Sequence, residues 1–186
     1  HQQRWLKDPQ LSHEIYNLGH LYEAGVAYEQ ATGSRALLDI CLRSAELLYR
    51  DFGDGEPRIA PGHQVVEMGL AKLYRETGDQ RWIDLAKFFI EARGNGRSDY
   101  SQDHKPVVEQ TEAVGHAVRA NYLYSGMADV AALTGDKRYF DAFTKIWENV
   151  VSRKLHLTGG CGARAAGEAY GADYELPHRC YNETCA

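Results

Sequence analysis

One short phrase occurs three times in this chain and restricts the fold more than any other feature. At 28–34, 74–79 and 131–136 the dipeptide Thr-Gly is followed directly by Ser or Asp. Glycine readily takes the left-handed conformation that ends a helix, and Ser or Asp can cap the helix that begins next. The repeated phrase therefore predicts three helical hairpins, spaced roughly 45 to 55 residues apart as in repeat architectures.

The segments on the two sides of each turn differ in composition. Those before the turns, 19–28, 62–74 and 115–133, are rich in Gly and Ala with few charges, which predicts inner helices buried on several sides. Those after the turns carry an apolar stripe at helical spacing and a charged opposite face, which predicts outer, surface helices. The three stripes are Leu37, Ile40, Cys41 and Leu48; Trp82, Leu85 and Phe89; and Phe140, Phe143, Trp147 and Val150.

The predicted fold class is therefore all-α, and helical pairs of this kind build two architectures. One is an open solenoid used for protein binding, and the other is a closed toroid of hairpins with a pocket at one mouth. The links between hairpins, 53–62 and 94–110, are long and contain Gly and Pro. Long ordered loops frequently carry function, so these links favour a chain with a site at the loop end of its helices.

Charge and cysteine content exclude several classes of partner. The net charge is −5 without a Lys/Arg cluster, which argues against nucleic acid or an anionic membrane as the partner and favours polar or neutral substrates. No apolar run approaches the ~20 residues that cross a bilayer. The four cysteines are too few and too irregularly spaced for a disulfide framework, which favours a reduced compartment or a bound metal over disulfides. The expected location is the cytoplasm. These features predict no particular oligomeric state.

Each predicted inner helix begins with the dipeptide Gly-His, which contains His20, His63 and His116. A single histidine in such a place is most simply a core or capping residue. Three in register at one mouth favour a pocket that binds a polyol. Charged residues one turn further along could add polar contacts to this pocket or pair with a neighbouring helix, and they are not included in the predicted site: Glu23, Glu67 and Arg119.

The terminal segment carries the chemistry. Glu183 and Cys185 are two positions apart, and a carboxylate and a thiolate can both bind zinc, so the pair offers half of a zinc site. Glu168 lies upstream of a loop that contains Gly171 and Pro177, and this loop could bring its carboxylate beside the metal as an acid/base group. The simpler interpretation is a loop with solvated carboxylates and buried thiols.

Seven phrases of the chain together match the pattern of one known family: Gly19 to Ala24, Gly62-His63, Gln110 to Ala120, Thr158-Gly159-Gly160, Gly167 to Tyr170, Asp173 to Pro177 and Asn182 to Ala186. Taken together, they resemble glycoside hydrolase family 127, helical-toroid enzymes that remove terminal β-L-arabinofuranosyl groups. The resemblance implies an (α/α)6 toroid of which about half is present. Residues 1–186 would form part of a single catalytic barrel domain, with three hairpins and an active-site loop at 155–186 and with the downstream part missing.

Carried over by position, the resemblance implies that Glu168 is the general acid/base, that Glu183 and Cys185 are zinc ligands, and that the three histidines contact the sugar. It implies a retaining mechanism in which a zinc-bound cysteine attacks the anomeric carbon. In that family the nucleophile and the remaining zinc ligand lie well downstream of the Glu-x-Cys phrase, so this chain by itself is expected to be inactive. Cys161 and Cys180 fall outside the pattern and are interpreted as incidental small apolar residues, Cys180 being a weak candidate for a substitute ligand.

Two alternatives remain open. A helical-repeat interaction scaffold would place Glu183 and Cys185 on its surface and would need no zinc. A sugar epimerase or another toroid enzyme would use the pocket histidines as acid and base and would leave the Glu-Thr-Cys phrase unused. The favoured hypothesis is a zinc-dependent glycosidase whose substrate is an oligosaccharide or another glycoside.

Overall fold

The computed structural model describes residues 4–5, 7–9, 11–96 and 98–186. The chain forms two compact units, His1–Ala92 and Arg93–Ala186. Across the described ranges the regular elements are helices, and extended pairing is limited to isolated bridges that join Ala169 to His116 and to Arg164. The predicted all-α class is confirmed. No helix in the described part of the chain has the length and apolar character needed to cross a bilayer.

The first unit contains two helical hairpins. Helix α1 (Glu14–Thr32) pairs with α2 (Ala36–Phe52), and α3 (Val66–Thr77) pairs with α4 (Gln80–Glu91). The inner helices α1 and α3 pack against each other, and the outer helices α2 and α4 are also in contact. The largest side chains of this core are fully buried: Tyr22, Leu38, Leu48, Phe52, Leu70, Trp82 and Phe89.

The second unit contains the third hairpin, α5 (Ala117–Thr134) and α6 (Lys137–Asn149), and α6 continues into a π-helical turn at Val150–Lys154. A short 3₁₀ turn at Val107–Glu109 precedes α5, and another at Ala166–Glu168 lies in the terminal segment. The three hairpins are those that the repeated phrase predicted.

The turns inside the hairpins have the predicted chemistry. Gly33, Gly78 and Gly135 each end a helix in the left-handed conformation, with φ of 70°, 72° and 72°. Asp79 and Asp136 cap the next helices, each accepting a hydrogen bond from the backbone N–H two residues later, at 3.1 and 3.0 Å. In the first turn the corresponding hydrogen bond, from the Ala36 N–H to the Ser34 hydroxyl, is longer at 3.4 Å.

The threonine before each of these glycines has a role that the sequence pattern did not predict. Thr77 donates its hydroxyl proton to the Leu73 carbonyl at 2.7 Å and accepts from the N–H of Asp79 at 3.2 Å. The same two bonds recur at Thr32 and at Thr134. Each threonine therefore satisfies a carbonyl near the end of one helix and an amide at the start of the next.

The predicted start of the first inner helix was wrong. Helix α1 begins at Glu14, where the Ser12 hydroxyl accepts from the Glu14 N–H at 3.2 Å, so Gly19 lies inside the helix. A Cβ on Gly19 would lie 2.7 Å from the Val66 backbone nitrogen. The glycine therefore serves the close crossing of α1 over the start of α3 rather than a helix boundary.

The apolar stripe predicted to be the buried face of the third outer helix was also wrong. Phe140 and Trp147 are 55% and 63% exposed, whereas Tyr139, Ala142 and Ile146 are buried. Helix α6 carries two adjoining apolar stripes, and the one shifted by a single residue packs against the core of the second unit. In α2, Leu38 and Cys41 are likewise buried while Ile40 is 47% exposed.

Candidate functional site

In the first unit the structure brings His20 and His63 together around one aromatic ring. The Tyr16 ring centroid lies 4.7 Å from that of His20 and 4.4 Å from that of His63. His13 joins the group, with its ring 5.5 Å from His63. Sequence reasoning missed His13 and Tyr16, although with His20 they follow the three- and four-residue spacing of one helix face.

Polar contacts orient both of these histidines. The His63 Nδ1 lies 2.8 Å from the Gln64 carbonyl oxygen, which can only accept, so the ring proton belongs on Nδ1. His20 is half-exposed, and its Nδ1 lies 3.7 Å from the Glu23 carboxylate, which also pairs with Lys72. His63 is buried.

In the second unit His116 contacts the predicted acid/base, Glu168. His116 is the N-cap of α5, and its Nδ1 accepts a hydrogen bond from the Arg119 N–H at 3.3 Å. The ring proton therefore belongs on Nε2, which donates to Glu168 Oε2 at 2.8 Å. Burial lowers the pKa of His116, as does the nearby Arg119 charge, and Glu168 opposes the shift only in part. The site thus holds a neutral imidazole as a donor to a carboxylate.

The backbone around Glu168 is unusual. Gly167 and Glu168 both have positive φ, 75° and 50°. This backbone conformation is unfavourable for Glu168 because, unlike glycine, it has a side chain. The loop is held by backbone bonds: Ala169 exchanges bonds with Arg164, and the Tyr170 N–H donates to the Gly115 carbonyl at 2.9 Å. The last bond ties the loop to the residue that precedes His116. Strain kept in place by such bonds is typical of a functional position.

Tyr181 is the second side chain that contacts Glu168. Its hydroxyl donates to Glu168 Oε1 at 3.4 Å. The negative charges of Glu168 and Glu183 raise the pKa of Tyr181, so the phenol lies near both carboxylates. The terminal segment is bound to the strand-like stretch before the Glu168 loop, since the Glu183 N–H donates to the Cys161 carbonyl at 3.1 Å. Sequence reasoning missed Tyr181, which has no spacing pattern to mark it.

The two predicted zinc ligands lie on a turn. The Ala186 N–H donates to the Glu183 carbonyl at 3.3 Å, so the backbone reverses between Glu183, which is half-buried, and Cys185, which is exposed. An oxygen and a sulfur donor on one turn fit zinc, which takes about three or four protein ligands. No cluster of three or more His, Cys, Asp and Glu side chains suited to a metal occurs among the described residues. Zinc binding by Glu183 and Cys185 therefore stays a prediction.

The other cysteines agree with a structural role. Cys41 and Cys161 are buried, Cys180 is half-buried, and all four cysteines of the chain are free thiols. The predicted meeting of His20, His63 and His116 at one mouth stays a prediction, because the first two lie in one compact unit and the third in the other.

The chain is thus an all-α protein of helical hairpins in which a glutamate lies between an imidazole and a phenol. Comparisons with known proteins identify its family. The family model described as "Beta-L-arabinofuranosidase, GH127 catalytic domain" matches residues 1–186. The chain belongs to glycoside hydrolase family 127.

Three similar proteins support this assignment. A non-reducing end β-L-arabinofuranosidase of Bifidobacterium longum subsp. longum is 39% identical over 95% of the chain. The crystal structure of a family 127 β-L-arabinofuranosidase from Geobacillus stearothermophilus T6 has a TM-score of 0.93 and 40% identity over 98% of the chain. A solved family 127 β-arabinofuranosidase has a TM-score of 0.89 and 57% identity over 94%. The chain spans 31%, 32% and 28% of these proteins, respectively.

Proposed function

We propose that the full-length protein is a glycoside hydrolase that releases terminal β-L-arabinofuranosyl residues from an oligosaccharide or another glycoside with retention of configuration. Family membership and the similarity to β-L-arabinofuranosidases support the reaction and the sugar. The single observation that carries the site assignment is the placement of Glu168, which bonds to His116 at 2.8 Å yet keeps a side chain 44% exposed.

In this proposal Glu168 is the general acid/base. Its protonated form gives a proton to the glycosidic oxygen as the bond to the anomeric carbon breaks, and its carboxylate then takes a proton from the attacking water. The two partners orient the group, because His116 Nε2–H and the Tyr181 hydroxyl bond to different oxygens of the carboxyl group. They hold the group in place while one oxygen exchanges a proton.

The nucleophile of the proposed mechanism is a cysteine outside these 186 residues. Glu183 and Cys185 would hold zinc together with ligands from the same outside part. Bound zinc would keep its cysteine ligands in the thiolate form at neutral pH. Sugar hydroxyls would be bound by His20, His63 and His116. Tyr16, which lies between the first two histidines, would present an aromatic face to the sugar ring.

The scaffold alternative accounts for less of what the residues show. A binding surface built from helical repeats gives no reason for a non-glycine residue with φ of 50° whose carboxylate is bonded by two other side chains. Such a conformation is unfavourable for a non-glycine residue and is common at active sites.

The test of the proposal is Glu168→Gln in the full-length enzyme, assayed on two glycosides. A glycoside with an alkyl leaving group needs protonation, whereas a nitrophenyl glycoside departs without it. We expect kcat/KM for the alkyl glycoside to fall by about 10²- to 10⁴-fold and that for the nitrophenyl glycoside to fall much less. Turnover of the nitrophenyl glycoside should show a burst and then a slow phase, because water attack also needs the base.

The matched control is Glu148→Gln, which makes the same change at an exposed carboxylate on α6. It should leave both rates unchanged. Equal and small effects of Glu168→Gln on the two glycosides would show that Glu168 is a loop carboxylate and would remove the acid/base assignment.

A further inference from the structure

Residues 160–164, the central stretch, join the two parts of the candidate site in the second unit. The last two residues of the stretch donate their N–H groups to the Ala169 carbonyl, at 2.9 and 3.1 Å, and Ala169 follows Glu168 directly. The carbonyl of Cys161, within the same stretch, accepts from the Glu183 N–H at 3.1 Å. One piece of backbone therefore bonds both to the loop of the candidate acid/base and to the turn of the predicted zinc ligands.

Gly162 allows the terminal segment to approach the central stretch closely. The residue is buried and has φ of 96°, and a Cβ on it would lie 2.7 Å from the Tyr181 carbonyl oxygen. Non-bonded heavy atoms pack best at about 3.5 to 4.0 Å, and a backbone oxygen cannot rotate out of the way. The same Cβ would lie 3.6 Å from the Cβ of Ala117, the first residue of α5. A side chain at this position would therefore push the terminal segment away.

Gly160 makes a second close contact with the terminal segment. A Cβ on Gly160 would lie 2.6 Å from Nδ2 and 2.9 Å from Cγ of Asn182, the residue before Glu183. Gly160 does not have a positive φ, so its missing side chain serves this contact and not the backbone conformation. Because the Asn182 amide can rotate, the contact at Gly160 restricts the segment less than the contact at Gly162.

We propose that Gly162 and Gly160 are positioning residues, whose missing side chains let the terminal segment lie against the central stretch and hold the Glu183–Cys185 turn in place beside the Glu168 loop. The inference rests on the proposed function, in which this turn holds zinc. Groups that support metal ligands contribute to metal affinity because they orient the ligands. Ligand distances must be correct to about 0.2 Å, so even a small displacement of the turn weakens binding.

The first experiment is Gly162→Ala in the full-length enzyme, with zinc affinity measured by competition with a chelator. We expect the affinity to fall about tenfold or more, the usual effect of disturbing the groups that support metal ligands. Gly135→Ala is the matched control. Gly135 has φ of 72°, is exposed and has nothing within 4 Å of the position of a Cβ. Alanine there introduces similar backbone strain, so the variant should lose thermal stability and keep its zinc affinity.

A second measurement does not require zinc. In the zinc-free enzyme, amide hydrogen exchange at Glu183 should be faster in Gly162→Ala than in the wild type, because the bond from the Glu183 N–H to the Cys161 carbonyl depends on the close approach. In Gly135→Ala the exchange at Glu183 should match the wild type. The comparison separates displacement of the turn from a general loss of stability.

Gly160→Ala tests the same idea without adding backbone strain, and it covers the case in which Gly162→Ala does not fold. We expect Gly160→Ala to weaken zinc binding. Adding Asn182→Ala should recover most of the loss, because this change removes the Cγ and Nδ2 atoms that the new Cβ would meet. Asn182→Ala by itself should bind zinc as the wild type does. A loss of zinc affinity that Asn182→Ala does not reverse would contradict the contact at Gly160.

Two outcomes would overturn the proposal as a whole. One is wild-type zinc affinity and wild-type exchange at Glu183 in both glycine variants, and the other is a loss of zinc in Gly135→Ala as large as that in Gly162→Ala. Failure of the proposed function gives a different result, because zinc would then remain bound after Cys185→Ser. If Cys185→Ser loses zinc while the two glycine variants behave as the wild type, only the positioning role is refuted.

Discussion

Cys185 is the residue on which the proposed metal requirement can be tested most directly. It is exposed, and the Thr184 hydroxyl oxygen lies 4.0 Å from its Sγ. We expect Cys185→Ser in the full-length enzyme to lose zinc and activity together, because a serine hydroxyl is a poor zinc ligand at neutral pH. Zinc per polypeptide, measured by elemental analysis alongside kcat, checks the expectation.

Cys180→Ser is the control for the same exchange five positions earlier. It should keep both zinc and activity if Cys180 is incidental, as interpreted. Full zinc occupancy in Cys185→Ser would exclude Cys185 from the ligand set, and loss of zinc in Cys180→Ser would make that residue the ligand instead.

Some contacts of the site follow from sequence and others do not. Glu168 and His116 were predicted because one lies in a distinctive phrase and the other repeats in register, and the structure joins them at 2.8 Å. Tyr100 and Tyr181 approach them only because backbone bonds fold two loops together, such as that from the His116 N–H to the Tyr100 carbonyl at 3.1 Å. Contacts made by loops have no periodicity, so no sequence pattern indicates them.

At the scale of elements, the terminal loop is held by ion pairs whose strength depends on pH. Arg164 donates to both oxygens of Glu175, at 2.8 and 2.5 Å, and the Ala172 N–H also donates to that carboxylate at 2.9 Å. These bonds lower the pKa of Glu175 from its ordinary 4.5 to about 2. Arg153, with Asn149, lowers the pKa of Asp173 in the same way.

The sign of the pH dependence follows from these lowered pKa values. A carboxyl group whose pKa is lower in the folded state stabilises the loop fully above its ordinary pKa and loses that contribution as the pH falls through the folded value. We expect amide hydrogen exchange in 164–175, corrected for the intrinsic rate, to accelerate as the pH falls from 4.5 to about 2. Glu175→Gln should show faster exchange already at neutral pH and a smaller further increase. Exchange in Glu175→Gln that matches wild type at every pH would contradict this account.

The helical elements were more predictable than their ends. Left-handed glycines and Asp caps act within a few residues, so the turns at Gly78 and Gly135 followed from the sequence alone. The start of α1 did not follow from the sequence, because Gly19 is required for a close contact with Val66 and does not mark the helix boundary. Val66 is 47 positions away in the printed sequence. Long-range packing also decides which face of α6 is buried. The helix has two apolar faces at helical spacing, and periodicity alone does not tell which one packs against the core.

At the scale of the whole molecule, the second unit presents a large apolar surface. A groove of about 560 Å³ lies between α5 and α6 and is lined by residues that include Tyr124, Phe143, Ile146 and Trp147. Val151 also lines the groove and is 41% exposed, and Leu157, which is nearby in sequence, is fully exposed. Apolar patches of this kind on a monomer mark a surface that packs against other protein or tends to aggregate.

We therefore expect residues 1–186, expressed by themselves, to bind a hydrophobic dye and to self-associate, because the chain is about a third of the length of its relatives and exposes this groove to water. Dye fluorescence and light scattering, measured over a range of protein concentrations, check the expectation. Trp147→Gln should lower dye binding because Trp147 lines the groove and is 63% exposed. Tyr28→Gln, at a tyrosine of α1 that is 43% exposed, should leave dye binding unchanged. A monodisperse monomer that melts cooperatively and binds no dye would show that the groove needs no cover, and would argue against these residues being part of a larger toroid.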